Sequence, residues 1–513
     1  MLNYKVLEFI MKKIFLSIIA LVFVFVANAQ TIDKVDGYYY LVSPNAMYYA
    51  GSQQGATAYR YDLAAKVENK IDPDGDFGFK TNAISNDGVV AGSYGWKAAL
   101  WVEGNEYELL PLPEDLSALD LETNDAVAIS PDGKQIVVAF NANGGPKTYY
   151  VYTKTDEGLY DMVKLPMPEK DPIYGMYSQW IGIKDMSLDG NVLVGFFVAD
   201  DGMRQLPLVW RKNGEGVWSY EFFGLDVCLK EGKTIPPYPY ESVVENPETG
   251  ELEMPYLVWE EWETAKAEAE SGYYYQMTGI MVSGNAKYIS FNIAKQLEGE
   301  EYATIYAAAY DLDKDELVIF ENMQNATSLS VNDNGEVIIG TPRMESFRWS
   351  YVCSINKPNA RQTLTEWVNN RTNGGINLAE YMTYPFDEMG QDSVVAEGTA
   401  YWAKEGDGFV TYIDNVFGTG AFESFFVTFG AKSADRPVYN DSRVSIYPNP
   451  TSGILNVSKT MTNVEVYDVI GRKVYTCSVV ENSIDLTELH AGQYFLVGEV
   501  EGQRVSTKLM IKK

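Results

Sequence analysis

From Tyr38 to Phe429 the chain alternates short apolar runs with polar turns, and one form of this alternation keeps returning. Its clearest copies carry the turns Ser85-Asn86-Asp87-Gly88, Ser130-Pro131-Asp132-Gly133, Ser187-Leu188-Asp189-Gly190 and Asn332-Asp333-Asn334-Gly335, each between runs of Val, Ile, Leu and Ala. Gly takes a positive φ without steric cost, and an Asp or Asn side chain accepts from its own backbone two residues on. The flanking β-branched residues suit a pleated, half-buried surface. Each copy therefore predicts a β-hairpin. Weaker copies surround Ser43-Pro44-Asn45-Ala46 and Ser283-Gly284-Asn285-Ala286, and a degenerate last one spans Phe386 to Ala396.

The copies recur at roughly 40–50 residues, the length of a four-stranded propeller blade. The expected fold class is all-β: a β-propeller of about seven blades, with six as the alternative, over residues 30–430. Ala91, Gly92, Ala139, Gly195 and Gly340 close the second strand of their hairpins, which predicts that this strand is innermost, where the blades crowd the axis. An aromatic follows in most units, at Tyr61, Trp101, Tyr152, Trp210, Tyr310, Trp349 and Trp402, and these rings are expected to fill the gaps between blades. One interval, between Ser187 and Ser283, is about twice the period. Its excess centres on residues 228–272, which hold Tyr238, Tyr240 and a run of helix formers with Trp259 and Trp262 three apart. This stretch is read as an insertion on one propeller face, the alternative being that it hides a degenerate blade.

These units resemble the HAF-type propeller repeat of secreted bacterial proteins, whose core reads A-x-S-x-D-G-x-x-V-x-G followed by an A-x-x-W strand. The stretch from Leu364 and Trp367 to Trp402 resembles the closing unit of such arrays. The resemblance implies fold rather than activity.

At the N-terminus, Met11 to Ala29 has basic residues, a short apolar core and an A-x-A end, which predicts a signal peptide over residues 1–29 and a mature start at Gln30. Met1 and Met11 are alternative starts. At the other end, residues 431–441 read as a polar linker. Residues 442–513 then show period-2 strands at regular spacing, which predict a small Ig-like antiparallel sandwich. The tail resembles the type A C-terminal sorting domain of the Bacteroidetes type IX secretion system. The matching residues are Tyr447, Pro448, Asn449, Pro450 and Gly453, then the strand from Val464 to Arg472, then Gly492 and Tyr494, then the basic end Lys508–Lys513. The resemblance implies export through the periplasm, the type IX machinery as partner, and a secreted or outer-membrane cell-surface location.

Charge and composition narrow the chemistry. With 40 Lys and Arg against 71 Asp and Glu the net charge is −31, which argues against nucleic acid as a partner. No apolar stretch beyond the N-terminal one is long enough for a transmembrane helix. Cys228, Cys353 and Cys477 are too few and too scattered for a disulfide framework. The single histidine, His490, lies in the tail and reads as a turn residue, so the working domain has no histidine for a Ser-His-Asp triad or a zinc site. Asp87, Asp132, Asp189 and Asp333 read as turn formers rather than catalysts. Asp72, Asp74 and Asp76 have the spacing of a calcium loop but lack its Gly and final Glu, so calcium is a weak candidate and no cofactor is expected. The leading expectation is an exported binding protein whose loops meet a glycan, a peptide or a host protein. Tyr238, Tyr240, Trp259 and Trp262 are its candidate ligand-binding residues. The alternatives are a glycoside hydrolase working through paired carboxylates and a structural surface component.

Overall fold

A computed structural model of the chain describes residues 30–429 and 446–512, apart from 53–57, 72–77, 104–105, 117–120, 143–146, 247–251, 297–299, 301, 345–346, 373, 387–390, 396–398, 407, 414–421, 448–450, 458, 469–471 and 501–502. The signal peptide, the linker and the calcium candidates Asp72, Asp74 and Asp76 lie outside the described residues. The chain divides into two compact units, one spanning Ala29–Ala431 and one holding Lys432–Lys513.

The first unit is a seven-bladed β-propeller, each blade a four-stranded antiparallel sheet. The blades begin with the strands Tyr38–Val42, Phe79–Ile84, Leu121–Ile129, Ser178–Met186, Tyr273–Val282, Thr327–Val331 and Thr399–Trp402. Each of these first strands packs against the first strands of both neighbouring blades, so together they form the ring around the axis. The ring is closed by the chain's own ends: Thr31–Asp36 pairs antiparallel with Glu423–Thr428 and becomes the outermost strand of the last blade. The closing register joins Thr31 to Thr428 and Asp36 to Glu423.

The hairpin turn is built the same way in blade after blade. The turn serine hydroxyl donates to the Asp or Asn two residues on, at 2.7 Å for Ser43–Asn45, 2.6 Å for Ser130–Asp132, 2.6 Å for Ser187–Asp189 and 2.8 Å for Ser283–Asn285. The same hydroxyl accepts from the backbone N–H that opens the next strand, at Tyr48, Gln135, Val192 and Tyr288. The Asp carboxylate in turn accepts from Lys134 and Asn191 two residues on. The expected roles of Asp132 and Asp189 as turn formers thus rest on named bonds. At the fourth position Gly88, Gly133, Gly190 and Gly335 have positive φ, and in the two weak copies Ala46 and Ala286 hold that conformation at 57° and 59°.

Two expectations are corrected. The second strand, which carries Gly92 and Gly195, is not innermost; it lies one place out from the axis. Its glycines answer a different crowding. The first strands of blades one, two and four bulge, between Tyr39 and Leu41, Thr81 and Ala83, and Ile183 and Asp185, and the bulge drives a carbonyl into the neighbouring strand. A Cβ on Gly51, Gly92 or Gly195 would stand 1.9, 1.7 or 1.9 Å from the carbonyl oxygen of Tyr38, Lys80 or Gly182. The second correction concerns the last unit. The described part of that stretch, Phe386 and Gln391–Val395, belongs to a separate two-stranded hairpin, Thr383–Phe386 with Gln391–Val395. The true seventh hairpin joins Thr399–Trp402 to Gly408–Ile413 through Lys404, Glu405 and Gly406. Ala403 there stands where five other blades have Ser and one has Asn332: its N–H donates to Gly408, and the Gly406 N–H donates back to it. Leu364–Arg371 is a helix with a Thr363/Glu366 capping box, and Trp367 packs edge-on against Trp402 at 4.8 Å.

The aromatic positions fill the interblade gaps where their side chains are described. Trp101 packs among residues of blades one and two, and Tyr152 among residues of blades two and three. Trp210 donates its indole N–H to Pro166 in the connection before its blade, at 2.9 Å. Tyr310 is buried, while Tyr61 is half-buried. Trp402 departs from the pattern, since it sits on a first strand; the Trp349 side chain lies outside the described set.

The second unit is a sandwich. One sheet orders Ile446–Tyr447, Ile454–Val457 and Ser483–Asp485; the other orders Lys473–Val480, Met461–Asp468, Gly492–Val500 and Gln503–Ile511. Leu455, Val464, Val466, Leu496 and Leu509 fill the space between them.

Candidate functional site

Two places on the propeller bring together side chains that could meet a ligand. The first is the insertion between blades four and five. Among the described residues it holds no blade, only a 14-residue helix, Tyr256–Ala269 (α1), the small pair Val244–Glu245 and Leu252–Glu253, and short turns. Its base is fixed by backbone bonds from Lys230 to Ala269 and from Ser271 to Cys228. Strand direction puts it on the face opposite the repeated hairpin turns, because it leaves from the end of a fourth strand.

The expected binding residues divide here by exposure. Trp262 is only 4% exposed; its indole N–H donates to Pro236 at 2.8 Å, and Tyr238 meets its ring edge-on at 5.0 Å. Arg204 stands over both Trp262 and Tyr174, at 5.7 and 4.7 Å. Tyr240 is half-buried: it donates to Asp200, accepts from the Tyr177 N–H at 2.9 Å, and has Lys170 over its ring. These three residues hold the insertion onto the propeller. Trp259 sits on the shoulder of the helix and is 43% exposed, beside Tyr256 at 67% and Leu257 at 70%. The Tyr256 and Trp259 rings lie 6.1 Å apart. Tyr256 and Leu257 escaped the sequence reading, although the first turn of an inserted helix is a natural place for outward-facing residues.

The second place is an axial cavity of about 680 Å³, lined by the first strands of all seven blades. No local sequence signal marks it, because its wall is assembled from residues hundreds of positions apart. The carboxylate in its lining is that of Asp185, and it is engaged on every side. It pairs with Lys404 at 2.6 Å and accepts from the backbone N–H groups of Met186 and Val282, each at 2.9 Å. Lys404 donates its remaining reach to the Met186 carbonyl. This cluster ties blades four, five and seven together.

Lys184 differs. It also lines the cavity, its side chain is exposed, and no carboxylate among the described residues lies within ion-pair distance of it. Partial desolvation of its ammonium, and then the charges of Lys147 and Lys80, hold it below the ordinary lysine range, with Asp125 opposing. Asp125 is itself taken up by Lys80 at 2.5 Å and by the Asn82 amide at 2.6 Å. Around Lys184 stand Phe196, 5.8 Å from the ammonium, and Trp180, edge-on to Phe196 at 5.0 Å.

In the C-terminal unit, Gly453 has φ 136°, and a Cβ there would strike Thr487 at 2.7 Å. Thr451, just after the Tyr-Pro-Asn-Pro stretch, donates its N–H to Met510 and accepts from Lys512, which lays this segment along the last strand. Tyr494 is buried and its hydroxyl donates to the carbonyl of His490, which lies in the loop before the strand opened by Gly492. Gly492 opens its strand, the Tyr447 side chain is not described, and Pro448, Asn449 and Pro450 fall outside the described residues. Residues 445–512 match the family model of the secretion system C-terminal sorting domain. The tail is a type IX sorting domain. It makes the type IX secretion machinery a partner of this chain and addresses it to the cell surface or the exterior. Among the described residues no helix is long and apolar enough to cross a membrane.

No curated protein matches the chain. Among solved structures it is similar to TolB from Acinetobacter baumannii, with 12% identity over 64% of this chain and 63% of that one, at a TM-score of 0.32. The chain thus spans less than two thirds of that protein's length. It is also similar to the Dos1 propeller, with 10% identity over 94% and 95% of the two chains and a TM-score of 0.38. A third is the Swd1 β-propeller domain of Myceliophteria thermophila, with 11% identity over 78% and 100% and a TM-score of 0.36.

Proposed function

We propose that this exported propeller is a binding protein that meets a glycan, a peptide or a host protein through the tip of its insertion. The observation that carries the reading is the outward set on α1, Tyr256, Leu257 and Trp259, held in place by the buried Trp262. A rigidly mounted aromatic surface loses little side-chain entropy on contact, and Trp and Tyr dominate the binding energy of interfaces. The glycosidase reading asks for two carboxylates flanking one bond. In the axial cavity the described lining supplies Asp185, already committed to Lys404 and two backbone donors, so binding is the better-supported class.

The test is a binding panel of glycans, peptides and matrix proteins against the purified chain, repeated with Trp259→Ala. The expected result is a captured ligand whose binding falls at least about tenfold in Trp259→Ala with an unchanged melting temperature. Capture that Trp259→Ala leaves intact overturns the surface. Turnover of a polysaccharide by the chain overturns the binding class.

A further inference from the structure

The acidic character of this protein reverses inside its axial cavity. In a chain of net charge −31 the described lining holds Asp185, neutralised by Lys404, and leaves the Lys184 ammonium without a counter-ion. That ammonium stands beside an aromatic pair, and a second ammonium, Lys147, lies 5.5 Å over the Trp180 ring. Trp180 is half-buried and contributes to the cavity wall.

We propose that the axial cavity binds a small carboxylate carrying an apolar ring face, with Lys184 taking the carboxylate and Trp180 the ring. Three features fit this ligand together. The volume of about 680 Å³ lies within the range that encloses a small molecule and is too small for a folded partner. An ammonium with no counter-ion and with the like charges of Lys147 and Lys80 near it gains from an anion that relieves their repulsion. Met277 and Met281 line the cavity with Trp180 and give it an apolar, adaptable wall suited to a ring rather than to a bare inorganic ion. The shared chemistry occurs in two sources, a uronic acid and an aromatic carboxylic acid. This site is separate from the α1 surface and stands or falls without it.

The experiment is calorimetric titration of the full chain with glucuronate, benzoate, glucose and acetate. Glucuronate or benzoate is expected to bind at least about tenfold more tightly than glucose, which lacks the charge, and than acetate, which lacks the ring. Preference between glucuronate and benzoate identifies the source. Lys184→Gln is expected to lose about tenfold or more at an unchanged melting temperature, and Lys184→Arg to retain binding. Trp259→Ala is expected to change nothing here. The proposal is overturned if neither ring-bearing carboxylate binds, if acetate binds as well as they do, or if Lys184→Gln binds like the parent chain.

Discussion

Gly195→Ala puts the bulged first strands to a quantitative test. The added Cβ would lie 1.9 Å from the Gly182 carbonyl oxygen and 3.0 Å from the Ile183 Cα, both backbone atoms, so no side-chain rotation relieves it. The bulge between Ile183 and Asp185 must open instead. Overpacking of this kind costs about 1–3 kcal/mol, and a backbone clash belongs at the upper end. Moving the bulge also displaces Asp185 from the Val282 N–H and from Lys404, and a hydrogen bond to a charged group is worth about 1.5–3 kcal/mol. Together these give a loss of about 4–6 kcal/mol. A unit of about 400 residues unfolds with roughly 0.8 kcal/mol/K of entropy, so its melting temperature should fall by about 5–7 °C if it melts as one cooperative body. Gly214→Ala is the control: nothing lies within 4 Å of its added Cβ, and it should leave the melting temperature unchanged or slightly raised. Both variants are read by differential scanning calorimetry of the secreted chain. A Gly195→Ala protein that melts within about a degree of the parent would show that the bulge is not the constraint that selects glycine.

Removing residues 30–36 takes away the strand that closes the last blade and bares the Glu423–Thr428 edge; light scattering should show self-association and calorimetry a lower melting temperature, whereas an unchanged monomer would refute the closure. Burial pushes the thiols of Cys228 and Cys353 up to about 12, so at pH 8 they stay protonated and should resist a thiol reagent that labels the half-buried Cys477, with mass spectrometry reading the sites; rapid native labelling of Cys228 would refute its burial.

What the sequence by itself determined is whatever rests on bonds between near neighbours. The Ser-x-Asp-Gly turn closes on itself through Ser187, Asp189 and the Val192 N–H, all within six residues, so the hairpin and its repetition are legible without a fold. The same holds for the strand rhythm of the sorting domain and for α1, whose helix formers are contiguous. Even Ala46 and Ala286 keep the pattern readable where glycine is missing, because the rest of the turn chemistry persists. Only the tertiary structure decided which strand lines the axis, since Gly92 and Gly195 report a close approach without saying what approaches. It alone identified the seventh hairpin, where Ala403 replaces the serine and Glu405-Gly406 replaces Asp-Gly. It alone joined Thr31–Asp36 to Glu423–Thr428, separated Trp262 from Trp259 across the edge of one helix, and left Lys184 open beside a spent Asp185–Lys404 pair. Each of these depends on which distant residue arrives as a neighbour, and burial and electrostatics are set by that arrival rather than by the order of residues along the chain.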